Sequence, residues 1–162
     1  MATAIEDQDA RFPVFEFTYS DNQTGEATTV RSTDGILFAR VANGGAFRSI
    51  TARIISSRVP LKLKYGCRYR RLGQDGELSG EALEGERCPP GGADHITRIA
   101  FESKIYYRCW MSHPERPDEY LRDPAGAFWY PSGQFCGAVD DGRWITALEI
   151  KMPPIVEGWR SA

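Results

Sequence analysis

Five consecutive residues near the end of the sequence have the chemistry to bind a sugar: Asp140, Asp141, Gly142, Arg143 and Trp144. Neutral sugars are held by an aromatic face against the C–H side of the ring, and by carboxylates and backbone N–H groups that bond the hydroxyls. A glycine lets the backbone approach such a ligand closely. Asp-Gly is also a common hairpin turn, and a tryptophan at a strand start is often a core residue. Both interpretations stand from the sequence.

A second glycine-containing segment, Asn43-Gly44-Gly45, has the same two interpretations, a turn or a ligand-binding loop. The short basic run at residues 68–71, Arg-Tyr-Arg-Arg, is explained by long cations alternating on an exposed strand face, without any partner.

Groups that could act as acids, bases or nucleophiles form no recognisable catalytic motif. Asp94 precedes His95, His113 lies in a proline-rich segment, and Glu102 is a further carboxylate. Gly-x-Ser-x-Gly, phosphate-binding glycine loops and His-Glu-x-x-His are absent from the sequence. A cofactor-independent enzyme would need an apolar pocket with a few polar groups. Six aromatic residues of the sequence could line such a pocket, or they could fill the core instead. The candidates to line the pocket are Tyr106, Tyr107, Trp110, Phe128, Trp129 and Tyr130.

Composition limits the class of protein. The 162 residues are 41% hydrophobic, enough for the core of one domain. Twenty basic and 22 acidic side chains give a net charge of −2, so nucleic acid and anionic membranes are not expected partners. Residues 1–11 are acidic and polar rather than signal-like, and no apolar run approaches the roughly 20 residues of a membrane span. A soluble, cytoplasmic protein is expected.

The four cysteines, at 67, 88, 109 and 136, are expected to be free thiols in that compartment. In an oxidising compartment they could form two disulfides, with three pairings. No Cys-x-x-Cys occurs and the only histidines are His95 and His113, so we predict no zinc site and no other cofactor.

The dipeptide Ile-Thr occurs three times, and we call these the Ile-Thr markers: Ile50-Thr51, Ile96-Thr97 and Ile145-Thr146. The intervals between them are 46 and 49 residues, and glycines lie upstream of each. Such spacing indicates three copies of one unit. We predict a single domain over residues 13–152, with a frayed start at 1–12 and a tail at 153–162.

Alternation of apolar and polar residues predicts half-buried strands after the second and third markers, and again over residues 15–19 and 59–65. The first marker departs from this pattern because Arg53 stands where the other copies have an aliphatic residue. We predict an all-β, pseudo-threefold β-prism of three antiparallel sheets, with a β-trefoil or a β-sandwich or barrel as alternatives. Residues 112–131 contain four prolines and are predicted to be a long loop.

Several short segments resemble β-prism proteins. Residues 142–150, GRWITALEI, resemble the last strand of jacalin-type lectins; residues 44–51 resemble that family's glycine pair and early strand, and residues 96–103 its middle strand. Residues 135–150 are similar to the vitelline membrane outer layer proteins, which share the three-sheet prism. In sugar-binding jacalin-type lectins an aspartate follows the aliphatic residue and accepts bonds from sugar hydroxyls. Thr146 occupies that position here, and a hydroxyl is a weaker acceptor than a carboxylate.

The sequence therefore predicts a non-enzymatic, lectin-like, carbohydrate-binding module. Its site is expected where the first and last loops meet, because threefold folds bring the first and last units together. The alternatives are a cofactor-independent enzyme of cyclase or isomerase type, and a partner-binding module that forms a homo-oligomer. The predicted ligand-binding residues are Gly44, Gly45, Asp140, Asp141, Gly142, Arg143, Trp144 and Thr146.

Overall fold

A computed structural model of the chain describes residues 12–42, 45–57, 60–113, 116–122, 129–137 and 142–153. The predictions of a frayed start and of a tail fall almost wholly outside the described residues. Of the predicted ligand-binding residues, Gly44, Asp140 and Asp141 also lie outside them.

The described chain forms β-strands and contains no α-helix. Among these residues, no helix offers the length and hydropathy that a bilayer span requires. The strands are β1 (Val14–Asp21), β2 (Ala27–Arg31), β3 (Ile36–Arg40), β4 (Phe47–Ser56), β5 (Lys64–Arg70), β6 (Leu78–Leu83), β7 (His95–Glu102), β8 (Tyr106–His113), β9 (Arg116–Arg122), β10 (Cys136–Gly137) and β11 (Trp144–Lys151).

These strands form three antiparallel sheets, which confirms the prediction of an all-β fold of three antiparallel sheets. The first sheet has the order β2-β1-β4, the second β6-β5-β7-β10 and the third β9-β8-β11-β3. Each Ile-Thr marker lies in a different sheet, on β4, β7 and β11 respectively. The isoleucine of every marker is completely buried.

The connections repeat in the same way around the three sheets. Each sheet consists of a hairpin and then the strand that carries the marker: β1-β2 with β4, β5-β6 with β7, and β8-β9 with β11. The link before each marker strand supplies an edge segment to another sheet. β3 joins the third sheet, β10 joins the second, and Cys88 pairs with Ile50 at the edge of the first. The pseudo-threefold prism and its repeat stay predictions, and this topology supports them.

Alternation explains how one face of each strand reaches the core. In β1 the side chains of Phe15, Phe17 and Tyr19 are buried, while the intervening residues are half-buried. Phe101 of β7 lies between the sheets, with ring centroids 5.9 Å from Phe15 and 5.2 Å from Tyr107. Edge-to-face aromatic pairs of this kind add to the energy of burial. The space between the three sheets is therefore occupied by packed aromatic side chains.

The prediction of a long loop over residues 112–131 is wrong for part of its length, because β9 forms at Arg116–Arg122. Among the described strands, β9 lies at the edge of the third sheet and pairs with β8. An edge strand tolerates Pro117, since the missing N–H can face away from the neighbouring strand. The prolines thus exclude a central strand but not an edge strand.

Candidate functional site

The second and third Ile-Thr markers adopt the same local backbone. In β7, Ile96 and Arg98 pair with successive residues of β5, which leaves Thr97 as the extra residue of a β-bulge. In β11, Ile145 and Ala147 pair with successive residues of β8, which leaves Thr146 as the extra residue. A bulge bends the strand and re-aims side chains next to it. The two strand starts are therefore shaped alike.

Thr146 lies inside this bend rather than on the surface. Its side chain is completely buried, its Oγ1 has no hydrogen-bond partner among the described residues, and its carbonyl accepts a 2.9 Å hydrogen bond from Val41 N. The sequence predicted that the Thr146 hydroxyl contacts the ligand. In the structure this hydroxyl would have to become accessible before it could bond a sugar.

The loop before β4 packs beside the start of β11. A Cβ at Gly45 would lie 2.8 Å from Val41 Cγ1, so only a glycine fits against the residue that bonds Thr146. Asn22 Oδ1 accepts a 2.9 Å hydrogen bond from Ala46 N and fixes the other side of the loop. Val41 therefore joins this loop to β11, and the buried Gly45 packs against Val41.

The starts of β7 and β11 also meet. The rings of His95 and Trp144 lie 5.4 Å apart between centroids, and both side chains are half-buried. Burial and the neighbouring charge of Arg70 lower the pKa of His95 below 6.5, against an opposing effect from Asp94. His95 is therefore mainly uncharged at pH 7, and its ring packs against Trp144 at a tilt of 50°.

The loop before β7 completes the contact around this end. Ala93 N donates a 2.9 Å hydrogen bond to the Arg48 carbonyl at the start of β4, and Asp94 N donates a 3.0 Å hydrogen bond to the Arg70 carbonyl at the end of β5. We call the three segments 45–47, 91–95 and 142–144 the glycine-loop end. Each ends on the first residue of β4, β7 or β11, and the three lie side by side in one region.

The predicted site residues differ in accessibility at the glycine-loop end. Gly142 is exposed with φ +80°, a backbone conformation that favours glycine, while Arg143 and Trp144 are half-buried. Since Asp140 and Asp141 lie outside the described residues, the described carboxylate in these segments is the exposed Asp94. Trp144 can offer an aromatic edge or face, and Asp94 can accept hydrogen bonds from hydroxyls.

Sequence reasoning missed an aromatic surface on the third sheet. Ile36, Phe38 and Tyr106 are 49%, 50% and 45% exposed on its outer face. Phe38 meets Trp110 edge-to-face with centroids 5.6 Å apart. The sequence carried no signal for this face, because residues 36–39, Ile-Leu-Phe-Ala, are apolar throughout, and only the structure shows that Leu37 and Ala39 are buried while Ile36 and Phe38 face out.

The aromatic residues proposed to line an enzyme pocket are divided between two places. Tyr107 is completely buried and stacks on Tyr130 at 6.4 Å, whereas Tyr106 is exposed on the opposite side of β8. The guanidinium carbon of Arg108 lies over the ring of Trp129, 4.3 Å from the centroid of that ring. Phe128 lies outside the described residues. The described members therefore do not converge on one pocket.

Comparisons with known proteins give no family assignment. No family model matches the chain, and neither the curated proteins nor the solved structures contain a significant match to it. The described residues also contain no group of three or more histidine, cysteine, aspartate or glutamate side chains that could hold a metal ion. The geometry of the glycine-loop end is therefore the basis for a functional proposal.

Proposed function

We propose that this protein is a non-enzymatic carbohydrate-binding module that binds its ligand at the glycine-loop end. The observation that carries the proposal is the half-exposed Trp144, held against a neutral His95 where three glycine-containing loops converge. An aromatic ring fixed by its neighbours loses little side-chain entropy when it stacks on a sugar.

Polar groups around Trp144 suit the hydroxyls of a sugar ring. Asp94 is an exposed acceptor in the residue before His95. Gly142, two residues before Trp144, has no side chain to keep a ligand from the backbone. Two carboxylates, Asp140 and Asp141, precede that glycine in the sequence. This set of one aromatic ring, carboxylates and accessible backbone is the combination that neutral sugar recognition needs.

The test is binding of a broad saccharide panel, first on a glycan array and then by calorimetry with the ligands found. Trp144→Ala should weaken binding about tenfold, the effect of losing a stacking contact worth about 1.4 kcal/mol. Trp110→Ala is the matched control, because Trp110 is also half-buried but packs edge-to-face on Phe38 of β3 rather than against His95. No binding to any saccharide, or equal binding by Trp144→Ala and the unaltered protein, would contradict the proposal.

A second candidate function is self-association through the outer face of the third sheet. The exposed Ile36, Phe38 and Tyr106 favour it, because several large apolar side chains exposed on one face of a sheet can form an interaction surface. Mass measurement by light scattering should then give an oligomer that Phe38→Ser converts to a monomer. Leu83→Ser, at a 57% exposed leucine of the second sheet, should leave the oligomer unchanged. A monomer at high protein concentration contradicts this second function.

A further inference from the structure

Three arginines surround Gly92 in the loop before β7, and we call Arg48, Arg71 and Arg87 the arginine cluster. Arg71 Nη2 donates a 2.8 Å hydrogen bond to the Gly92 carbonyl. Arg48 Nε and Arg87 Nη2 lie 2.9 and 3.2 Å from the point that a Cβ of residue 92 would occupy. Gly92 therefore permits two guanidinium groups to approach one another closely over the backbone.

The arginine cluster lacks the carboxylates that other arginines of this protein have. Arg53 and Arg31 both contact Glu16, and Arg108 Nε lies 2.8 Å from Glu149 Oε1. Among the described residues, no member of the arginine cluster forms an ion pair with a carboxylate. Like charges this close repel one another, and an anion placed between them removes that repulsion.

The surroundings of the arginine cluster are open and polar. Arg48 lies between two depressions of the surface. One is lined by Asn22, Asp94 and the Gly91-Gly92 backbone. The other is lined by hydroxyl-bearing side chains and Arg87. A ligand that carries both an anionic group and hydroxyls would find a partner for each here.

We propose that the arginine cluster binds the acidic group of a saccharide, a sulfate ester or a carboxylate, so that the ligand of the glycine-loop end is an acidic rather than a neutral sugar. That the ligand is a saccharide rests on the proposed function, whereas the presence of an anion site does not. Guanidinium groups bind such oxyanions through paired N–H donors. The loop at 91–95 connects the two parts of the site, since it carries Gly92 at one end and His95, against Trp144, at the other.

The experiment compares three probes by NMR titration: sodium sulfate, a sulfated or uronate-bearing oligosaccharide, and the neutral oligosaccharide with the same backbone. Ionic strength is matched with sodium chloride, because salt screens exposed charges. We expect the acidic oligosaccharide to bind at least tenfold more tightly than the neutral one and to shift the amide signal of Gly92. Sodium sulfate should shift the same amide more weakly.

The double variant Arg48→Ala/Arg87→Ala should lose about tenfold in affinity for the acidic oligosaccharide, since each exposed charge contact contributes modestly. Its affinity for the neutral oligosaccharide should not change. Arg53→Ala is the matched control on the same strand, where the arginine is 49% exposed and already paired with Glu16. It should retain the preference for the acidic ligand.

The outcomes separate this inference from the proposed function. Equal affinity for the acidic and neutral ligands, or an unchanged preference in the double variant, overturns the inference while saccharide binding stands. Sulfate shifts at Gly92 that the double variant abolishes, with no saccharide binding at all, support the anion site and contradict the proposed function. If sulfate causes no shift and the acidic oligosaccharide is not preferred, the arginine cluster is not an anion site.

Discussion

Replacement of Thr146 by valine should stabilise the protein, although it removes a polar group from the bulge position that Thr97 also occupies. The Thr146 hydroxyl is completely buried and has no partner among the described residues. Burying a hydroxyl without a hydrogen bond costs about 1–3 kcal/mol, and valine fills nearly the same space without that cost. We therefore expect Thr146→Val to raise the free energy of unfolding by about 1–2 kcal/mol.

The second marker provides a matched comparison with the opposite expected sign. Thr97 occupies the same bulge position in β7 and is also buried, at 3% exposed. Its Oγ1 lies 2.6 Å from a carboxylate oxygen of Glu77, which also pairs with Arg98. A hydrogen bond to a charged group contributes about 1.5–3 kcal/mol. Thr97→Val should lower the free energy of unfolding by about that amount, and it leaves the Glu77 carboxylate short of one donor.

Urea unfolding of both variants and the unaltered protein measures these changes directly. The two variants should differ in stability by about 2.5–5 kcal/mol, through their midpoints and without a change in m-value. Because a 162-residue protein shifts by about 2–4 °C per kcal/mol, thermal melts should separate them by roughly 10 °C. If Thr146→Val is as destabilising as Thr97→Val, the Thr146 hydroxyl has a hydrogen-bond partner and the reasoning is wrong.

Three further predictions concern the core, the histidine and the thiols. Phe101→Ala should lower the free energy of unfolding in urea by about 3–5 kcal/mol, because the ring is completely buried among other aromatic side chains. The control Leu83→Ala, at an exposed position, should change it by less than about 0.5 kcal/mol. NMR titration should give His95 a pKa below 6.5, and Asp94→Asn should lower that pKa further. Because the folded pKa is depressed, the contribution of His95 to stability is full above pH 6.5 and is lost as the pH falls through the folded pKa. A measured pKa at or above 6.5 refutes this prediction. Ellman's reagent should find no rapidly reacting thiol in the native protein, because all four cysteines are buried and none forms a disulfide. In urea without reductant it should find four thiols. Only two reacting thiols in urea would indicate a disulfide.

Strands whose side chains alternate were predictable from sequence, because the period of two is itself the structural signal. β1 follows it, whereas β7 and β11 bury consecutive residues, starting at the bulge that each marker forms. The expected strand over residues 59–65 instead begins at Lys64, after a stretch that includes Pro60, although Leu63 is already buried. Alternation reports which side chains face the core, but strand pairing decides where the ladder begins.

β9 and the aromatic face of the third sheet could not be predicted in the same way. Whether Pro117 is tolerated depends on β9 being an edge strand, and that depends on the order of the whole sheet. Ile36 and Phe38 face outward from β3 because β3 pairs with β11, more than 100 residues away in the chain. Such properties are set by long-range pairing, which no local pattern contains.

The candidate site shows the same division between local and long-range information. Gly142 and Trp144 were recognisable from their types and spacing, since both belong to one turn and strand start. The arginine cluster draws one residue from β4 and two from the links that flank β6, and Arg71 belongs to a basic run that a solvated strand face explained equally well. Only the contact of all three with Gly92 distinguishes the site from an ordinary exposed strand.

The three loops of the glycine-loop end share a position in the fold but differ in chemistry. The first is closed, because Gly45 is buried against Val41. The second is basic, because the arginine cluster surrounds Gly92. The third presents the half-exposed ring of Trp144. A threefold arrangement of identical loops would offer three equivalent sites, whereas these loops can contribute different contacts only to one ligand. We therefore propose a single composite saccharide site, in which the differences among the three loops, rather than what they share, set the specificity.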